Sequence, residues 1–324
     1  MSAFSERDDF LNNRWLRFIC RRLIYMVTTL WVIITITFLL MNFLPGTPYN
    51  NQDKLTAVQL QVLNQKYGLD QPLGQRYLTY LTNILHGDFG ISLQFSDQQV
   101  TTLLGSRMGV SMQLGLQAAV FGTVVGVILG TAAAMRHNTW IDTFCSLFAI
   151  LGRSAPNFVV AVLLQFAFAV TLGVLPIGLW NEGFRSSILP TLALSISPMA
   201  DSARFMRTEM LDVLSSDYIE LARAKGMSEL RLVLTHGLRN ALIPLITIIG
   251  PITVGLMTGS LVVENIFAIP GIGEQFTKSV LTNDYYTIMA MTILFSAMLV
   301  LIIFLTDVLY QIIDPRVRIG GERS

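Results

Sequence analysis

Long apolar runs separated by short polar stretches set the pattern of this chain, and none of them alternates in the two-residue manner of a half-buried strand. Six runs reach the roughly 20 residues that a helix needs to cross about 30 Å of hydrocarbon; they lie at 22–44, 108–135, 142–175, 187–206, 241–263 and 286–312. A segment in lipid must satisfy its own backbone groups, which leaves helices for such runs. The pattern predicts an all-α polytopic membrane protein with six transmembrane helices. Residues 1–21 read as a polar tail, 22–44 as the first span, 45–107 as an extracytoplasmic helical segment, 108–313 as a five-helix core with a polar loop at 208–244, and 314–324 as a second tail.

Shorter signals divide the segment at 45–107. Leu44-Pro45-Gly46 stops the first helix. Thr56 followed by Gln59 forms a capping box that opens a helix running to about Tyr67, with Gly68 as its stop. A second helix runs from Leu73 to His86, with Tyr77, Tyr80, Leu81, Ile84 and Leu85 on one stripe and Gly87 after it. This segment reads either as a cap over the outer span ends or as a docking surface for an external partner.

The chain is 52% hydrophobic and 13% charged, so its polar residues are few and their placement carries information. Arginine and lysine collect on alternate sides. Arg7, Arg14, Arg17, Arg21 and Arg22 precede the first span, and Arg136 follows the second. Arg204, Arg207, Arg223, Lys225, Arg231 and Arg239 lie between the fourth and fifth, with Arg316, Arg318 and Arg323 after the sixth. Lys54, Lys66, Arg76, Arg107, Arg185 and Lys278 fall on the other side. Both termini are therefore expected in the cytoplasm, and so is the loop at 208–244. The first run is too long for a signal-peptide core and reads as an uncleaved span. Cys20 and Cys145 show no metal or disulfide spacing, and a net charge of +1 gives no hint of nucleic acid.

Within the spans, Gly122, Gly126 and Gly130 recur every four residues and put a ridge of small residues on one face of the second helix. The third run contains Gly152-Arg153-Ser154-Ala155-Pro156-Asn157, where proline must kink or restart the helix. An arginine at membrane depth costs about 2.5–3.5 kcal/mol on insertion scales and should face protein or water. Arg153, Asn157, Gln165 and Asp201 are the candidates for a polar translocation pathway; Arg153 also reads as an interfacial anchor. After the fifth span, Val263-Glu264-Asn265 leads into Ile269-Pro270-Gly271-Ile272-Gly273, a tight return on the outer face; Glu264, Pro270, Gly271 and Gly273 are candidates for an outer gate loop.

The most polar inter-span stretch is Asp217 to Pro244. Asp217 reads as an N-cap with Glu220 returning a hydrogen bond, Tyr218, Leu221, Ala222 and Lys225 share a face, and Gly226 ends the helix. Ser228 opens a second, basic helix through Arg239. A short helix with small Ala222 and Ala224 suits a groove on a soluble partner, while an interfacial helix resting in headgroups is the alternative. Enzyme chemistry is missing. The four lysines follow Asp53, Gln65, Ala224 and Thr277, so no Gly-Lys pair exists and no phosphate loop of the usual kind. His86, His137 and His236 lie far apart, and there is no GxSxG elbow.

Glu220-Leu221-Ala222-x-x-x-Gly226 resembles the loop by which ATP-binding-cassette importer permeases dock onto their ATPases. Leu44-Pro45-Gly46, Gly68-Leu69-Asp70-Gln71-Pro72-Leu73, Gly87-Asp88-Phe89-Gly90-Ile91-Ser92, His236-Gly237-Leu238-Arg239-Asn240-Ala241-Leu242-Ile243-Pro244, Val263-Glu264-x-x-Phe267-x-x-Pro270-Gly271-Ile272-Gly273 and Asp314-Pro315-Arg316 resemble the B-type subunit of the oligopeptide/dipeptide/nickel branch. Leu221 departs from the alanine of the general motif, and the tail at about 1–14 departs from the branch. The resemblance implies a permease of an importer of peptides, or of nickel chelate or glutathione, in the cytoplasmic membrane. It implies a second homologous permease subunit, two ATP-binding subunits, an extracytoplasmic substrate-binding protein and surrounding lipid as partners. No cofactor is expected in this chain, with ATP and Mg on the partner subunits. Asp217, Tyr218, Glu220, Leu221, Ala222, Ala224, Lys225 and Gly226 would form the ATPase-coupling helix. An ion-gradient-driven transporter would want mid-span carboxylates, whereas Asp201, Glu209, Glu264 and Asp307 lie near predicted span ends. A structural scaffold leaves the shaped loop unexplained.

Overall fold

The computed structural model describes residues 2–43, 49, 56–95 and 98–313, with side chains from residue 17 onward except 66 and 309–313. The expected stops at Leu44-Pro45-Gly46 and Asp314-Pro315-Arg316, and the tail at 314–324, lie outside the described residues. The described chain is helical, apart from loops and one isolated bridge between Ile91 and Gln99. It falls into two compact units, Met1–Leu104 with Lys278–Phe304, and Gly105–Thr277 with Leu305–Ser324.

The first unit is built on α1 (Ser2–Phe43), α2 (Ala57–Lys66), α3 (Leu73–Leu85) and much of the last helix. The predicted polar tail is not a separate element, because its backbone continues the helix of the first span without a break. The capping box forms: the Thr56 amide donates to Gln59 Oε1 at 2.9 Å and the Gln59 amide donates to Thr56 Oγ1 at 3.3 Å. Gly68 and Gly87, at φ +66° and +76°, end the two short helices in the left-handed region that glycine adopts freely. The α3 stripe packs through Tyr80 against Phe38, Met289 and Ile293, with Tyr77 and Ile84 beside them. Leu85 leaves that stripe and is exposed, since it is the last residue before the helix stop. Asp284 sits just before the final helix and accepts from Ser92 Oγ at 2.5 Å and Thr287 Oγ1 at 2.7 Å. Burial pushes its carboxyl above the usual carboxylate range, against the pull of those hydrogen bonds.

The second unit holds most of α4 (Val100–Met135), α5 (Trp140–Ser154), α6 (Asn157–Leu164) with a π-helical turn at Gln165–Thr171, and α7 (Phe184–Leu214). After these come α8 (Asp217–Ala224), α9 (Glu229–Leu232), a π turn at Val233–Gly237, α10 (Leu238–Met257), α11 (Leu261–Ile266) and α12 (Ile272–Leu281), which is shared with the first unit, as is α13 (Tyr285–Ile313). Among the described residues, four helical stretches are long and apolar enough to cross a membrane: Arg17–Phe43, Val100–Met135, Glu229–Ile266 and Tyr285–Val308. The third predicted span is instead two helices bent by 102°, so it makes a fifth crossing only as a broken pair. Proline at 156 has no amide to continue α5 and holds Ala155 extended (φ −74°, ψ 123°), so the chain restarts at Asn157.

The fourth predicted span departs from the pattern. The 31-residue α7 is long enough to cross but too polar to count with the others. Four of its serines are inside the protein: Ser186, Ser187, Ser195 and Ser202 are buried, as are Leu189, Met199 and Met206 on the same helix. Thr191 donates to Gln117 on α4 at 3.1 Å, and Ser197 donates to Asn157 on α6 at 2.9 Å. The glycine ridge of α4 makes the approach close. A methyl group on Gly122 would sit 2.7 Å from the Ser195 carbonyl, one on Gly126 would meet the Met199 carbonyl at 2.5 Å, and Gly130 stands equally tight against Ala203. Such contact replaces the hydrophobic drive that lipid cannot supply between helices.

The Gly126→Val protein is expected to lose about 1–3 kcal/mol, typical of overpacking a filled interior. Its melting temperature in detergent should fall clearly. Gly105→Ala, where no atom lies within 4 Å of the added methyl, should melt with the unaltered protein.

Candidate functional site

The polar loop forms a small, well-defined projection at the C-terminal end of α7. Ser215 and Ser216 make the turn, with Ser216 Oγ donating back to the Val213 carbonyl at 2.6 Å. Ser216 therefore holds the cap position, and Asp217 is the first helical residue rather than the predicted N-cap. There its carboxylate still faces the positive end of the helix dipole, as does Glu220. The end of α8 follows the sequence reading. The Met227 amide donates to the Ala222 carbonyl at 3.3 Å and the Gly226 amide to the Arg223 carbonyl at 3.0 Å, the paired bonds of a Schellman stop. Gly226 has φ +82° with nothing near a would-be Cβ, so backbone sign rather than space demands glycine there.

One residue anchors α8. Ile219 is fully buried, whereas Asp217, Tyr218, Glu220, Leu221, Arg223 and Ala224 are exposed and Ala222 is half-buried. Tyr218, Leu221, Leu230 and Leu234 leave substantial apolar surface uncovered. Two bonds brace the helix from the side. Asn240 on α10 donates to the Tyr218 hydroxyl at 2.9 Å, and Arg223 donates to Glu229 at 2.7 Å. The Glu229 carboxylate, by that hydrogen bond and then by its charge, pushes the Arg223 guanidinium above its ordinary value. The predicted second helix from Ser228 to Arg239 is not regular. It runs as α9, widens into the π turn, and resumes as α10. Gly237 lets that turn close on Met210 of α7, whose sulfur a Cβ would meet at 2.9 Å. Val233, Ala241 and Leu245 complete a core with Met206 and Met210.

Asp142 in the first turn of α5 is gripped by Arg207 of α7 through two bonds, at 2.6 and 2.8 Å. Its Oδ2 also accepts from the Asn138 amide and lies 3.0 Å from His137 Nδ1. This fixes the α4–α5 turn, where Asn138 has φ +60°, to the helix that carries α8.

The candidate pathway residues occupy two ends of α6. At its start, Arg153 pairs with Asp201 at 2.9 Å, the arginine exposed and the aspartate largely covered. Asn157 accepts from Ser197 close by. At the far end, Gln165 Nε2 donates to the carbonyls of Ile177 and Ile266. The structure thus joins Arg153 with Asp201 and leaves Gln165 apart, bound to backbone.

The candidate gate-loop residues converge on one carboxylate. Glu264 is fully buried; Oε1 accepts from Ser111 Oγ at 2.7 Å and Oε2 from the Glu274 amide at 3.0 Å. Ser111 Oγ in turn accepts from the Ile272 amide at 2.8 Å. These groups satisfy the first amides of α12, which a helix start leaves open. Gly271 and Gly273 are buried against the carboxylate, and Gly259, at φ +92°, backs it from the other side. Arg107 pairs with Glu274 at 2.8 Å beside this node, while Pro270 stays exposed. Phe267 fills the core underneath, and its carbonyl accepts from the Leu179 amide at 2.7 Å.

Ile219, Ser111, Asp142 and His137 escaped the sequence reading. An acid in a first turn was a usable signal for Asp142, and a lone isoleucine in a charged helix was one for Ile219. Nothing local marks Ser111.

Comparison with known proteins adds a family. Residues 122–319 match the family described as "Binding-protein-dependent transport system inner membrane component", and residues 15–98 match the N-terminal family of such membrane components. The chain is 46% identical over 303 residues, 94% of its length and 99% of the relative, to the dipeptide transport system permease protein DppB of Lactococcus lactis subsp. cremoris. It is 41% identical over 304 residues, 94% and 99%, to the oligopeptide transport system permease protein OppB of Haemophilus influenzae. Among solved structures, an inward-facing conformation of the MetNI methionine ABC transporter has TM-score 0.54 at 18% identity, covering 66% of this chain and 97% of that one. That likeness speaks to the fold.

Removing the carboxylate in Glu264→Ala leaves buried amides and a hydroxyl unpaired, at about 1–3 kcal/mol for such a group. The variant should melt well below the unaltered protein in detergent, whereas Asn265→Ala, on the exposed side of α11, should not. Equal melting of all three would show that the node does not hold α12.

Proposed function

Because the chain belongs to the family of binding-protein-dependent transport system inner membrane components, we propose that it is the permease subunit of an ATP-driven importer of dipeptides or oligopeptides. The relatives named above are dipeptide and oligopeptide permeases, which favours peptides over nickel chelate or glutathione. The chain has no Gly-Lys pair for a phosphate loop, so ATP and its Mg would be bound and hydrolysed on two partner subunits. A second homologous permease and an extracytoplasmic binding protein complete the assembly, within the lipid of the cytoplasmic membrane and with both termini inside.

The observation that carries this reading is the mounting of α8. Asp217, Tyr218, Glu220, Leu221, Ala222, Ala224, Lys225 and Gly226 form a projection with one buried anchor, a capped end and exposed apolar surface. Such a surface suits a groove on another protein. A push on α8 has two routes inward: the Ser215–Ser216 turn leads to α7, and the Tyr218–Asn240 bond leads to α10. Movement of α7 would carry Asp201 against Arg153 and shift Asn157 and Gln165, the proposed pathway groups. Glu264, Pro270, Gly271 and Gly273 would form the outer closure that opens and shuts as access alternates. An ion-gradient mechanism has no comparable use for α8.

Gly226→Val forces a branched residue into the left-handed region at about 1–2 kcal/mol and disturbs the end of α8. In proteoliposomes holding the full complex and binding protein, peptide uptake is expected to fall at least tenfold while basal ATP hydrolysis continues. Normal uptake together with normal stimulated hydrolysis would remove the coupling role from α8. Purification of the chain without any ATP-binding subunit would count against the importer itself.

A further inference from the structure

The first unit contains a partly enclosed cavity of about 160 Å³ between the end of α1, α3 and the start of α13. Its position follows from helical spacing. Arg76, Tyr80 and Asn83 fall at i, i+4 and i+7 of α3 and share one face, and Gln71 comes from the turn before that helix. Arg76 is the one charged side chain lining the cavity among the described residues, and no carboxylate faces it there.

The donors around this cavity are unspent. Among the described residues, the side chains of Arg76, Gln71 and Asn83 make no hydrogen bond or ion pair. The Tyr80 hydroxyl is buried without a partner, on a side chain only 6% exposed. A half-buried arginine, two amides and a hydroxyl around one space lack an acceptor. The guanidinium fork matches a planar two-oxygen anion better than a spherical one. The rings of Tyr67 and Tyr286 add flat walls for the stem of such a group. A whole small-molecule site commonly takes about 300–1,000 Å³, so this space admits one residue-sized group.

We propose that this cavity binds a carboxylate carried on a residue-sized group, with Arg76 as its counter-charge and Gln71, Tyr80 and Asn83 as hydrogen-bond donors. The site goes beyond the transport reading, because it lies in a different unit from α8 and binding there needs no ATPase. The carboxylate has two natural sources: the free end of a short peptide, or an acidic side chain of a protein seated on this segment.

The test uses the full chain in lipid nanodiscs and isothermal titration with four probes: trialanine, trialanine amide, N-acetylglutamate α-methylamide and inorganic phosphate. At least one of the two carboxylates should bind, and Arg76→Gln should weaken it tenfold or more. Arg76→Lys should fall between, keeping the charge but losing the fork. Trialanine binding with silence from its amide assigns the site to a peptide end. Binding of the glutamate derivative assigns it to a side chain. The proposal is overturned if neither carboxylate binds, if binding survives Arg76→Gln unchanged, if trialanine amide binds as well as the carboxylates, or if phosphate binds more tightly than both. Should Arg76→Gln fail to fold, as judged by its melting curve, Asn83→Ala serves in its place with a loss of threefold or more expected, and an unchanged affinity overturns the proposal. Loss of uptake or of ATPase association bears on the importer reading and leaves these titrations untouched.

Discussion

The second unit depends on the close approach of α4 to α7. Water-filled surroundings would let α7 show its serines and charges to solvent, but a membrane does not. Its hydroxyls, Asp201 and Arg207 need protein around them, and three glycines spaced four apart on α4 bring a backbone within contact distance. Once those helices touch, α5, α6 and α10 cover the remaining faces of α7, and α8 hangs from its end. A larger residue in the ridge would separate helices, not merely fill space.

A second device recurs where helices begin. Glu264 satisfies the start of α12, Asp284 bonds Thr287 at the start of α13, and Asp142, in the first turn of α5, receives the Asn138 amide of the turn before it. Each carboxylate meets open amides or hydroxyls at the positive end of a helix dipole, where negative charge is stabilised. Each also binds a residue distant in sequence: Ser111, Ser92 and Arg207 respectively. One side chain thereby serves both a helix start and a long-range attachment.

Features set by neighbours in sequence were readable in advance. The Thr56–Gln59 box, the glycine stops at 68, 87 and 226, the restart after Pro156 and the α4 ridge each need only a few adjacent residues. The family resemblance likewise rested on short motifs. Boundaries were less secure: Ser216 takes the cap predicted for Asp217, and α4 starts at Val100 rather than near 108. What stayed hidden was held together over distance. Ser111 meets the Ile272 amide across 161 positions, and Arg207 meets Asp142 across 65, which no local pattern records. Ile219 is marked by no motif, because it lies off the face shared by Tyr218, Leu221, Ala222 and Lys225, and only its burial shows that it secures α8. The six-span expectation treated hydropathy as the measure of membrane location, and α7 is placed by its protein neighbours instead.

The polarity of α7 also has a meaning in time. A ribosome releases the chain from its N-terminus, and early segments settle before later ones. Gln117, Asp142, Arg153 and Asn157, the partners of Thr191, Arg207, Asp201 and Ser197, all precede α7 in the chain. The helix least able to dissolve in lipid by itself thus emerges after the groups that receive it have been made. Element order here works as an assembly schedule, and a permuted gene that began at α7 would deliver its polar groups to the bilayer before their partners existed.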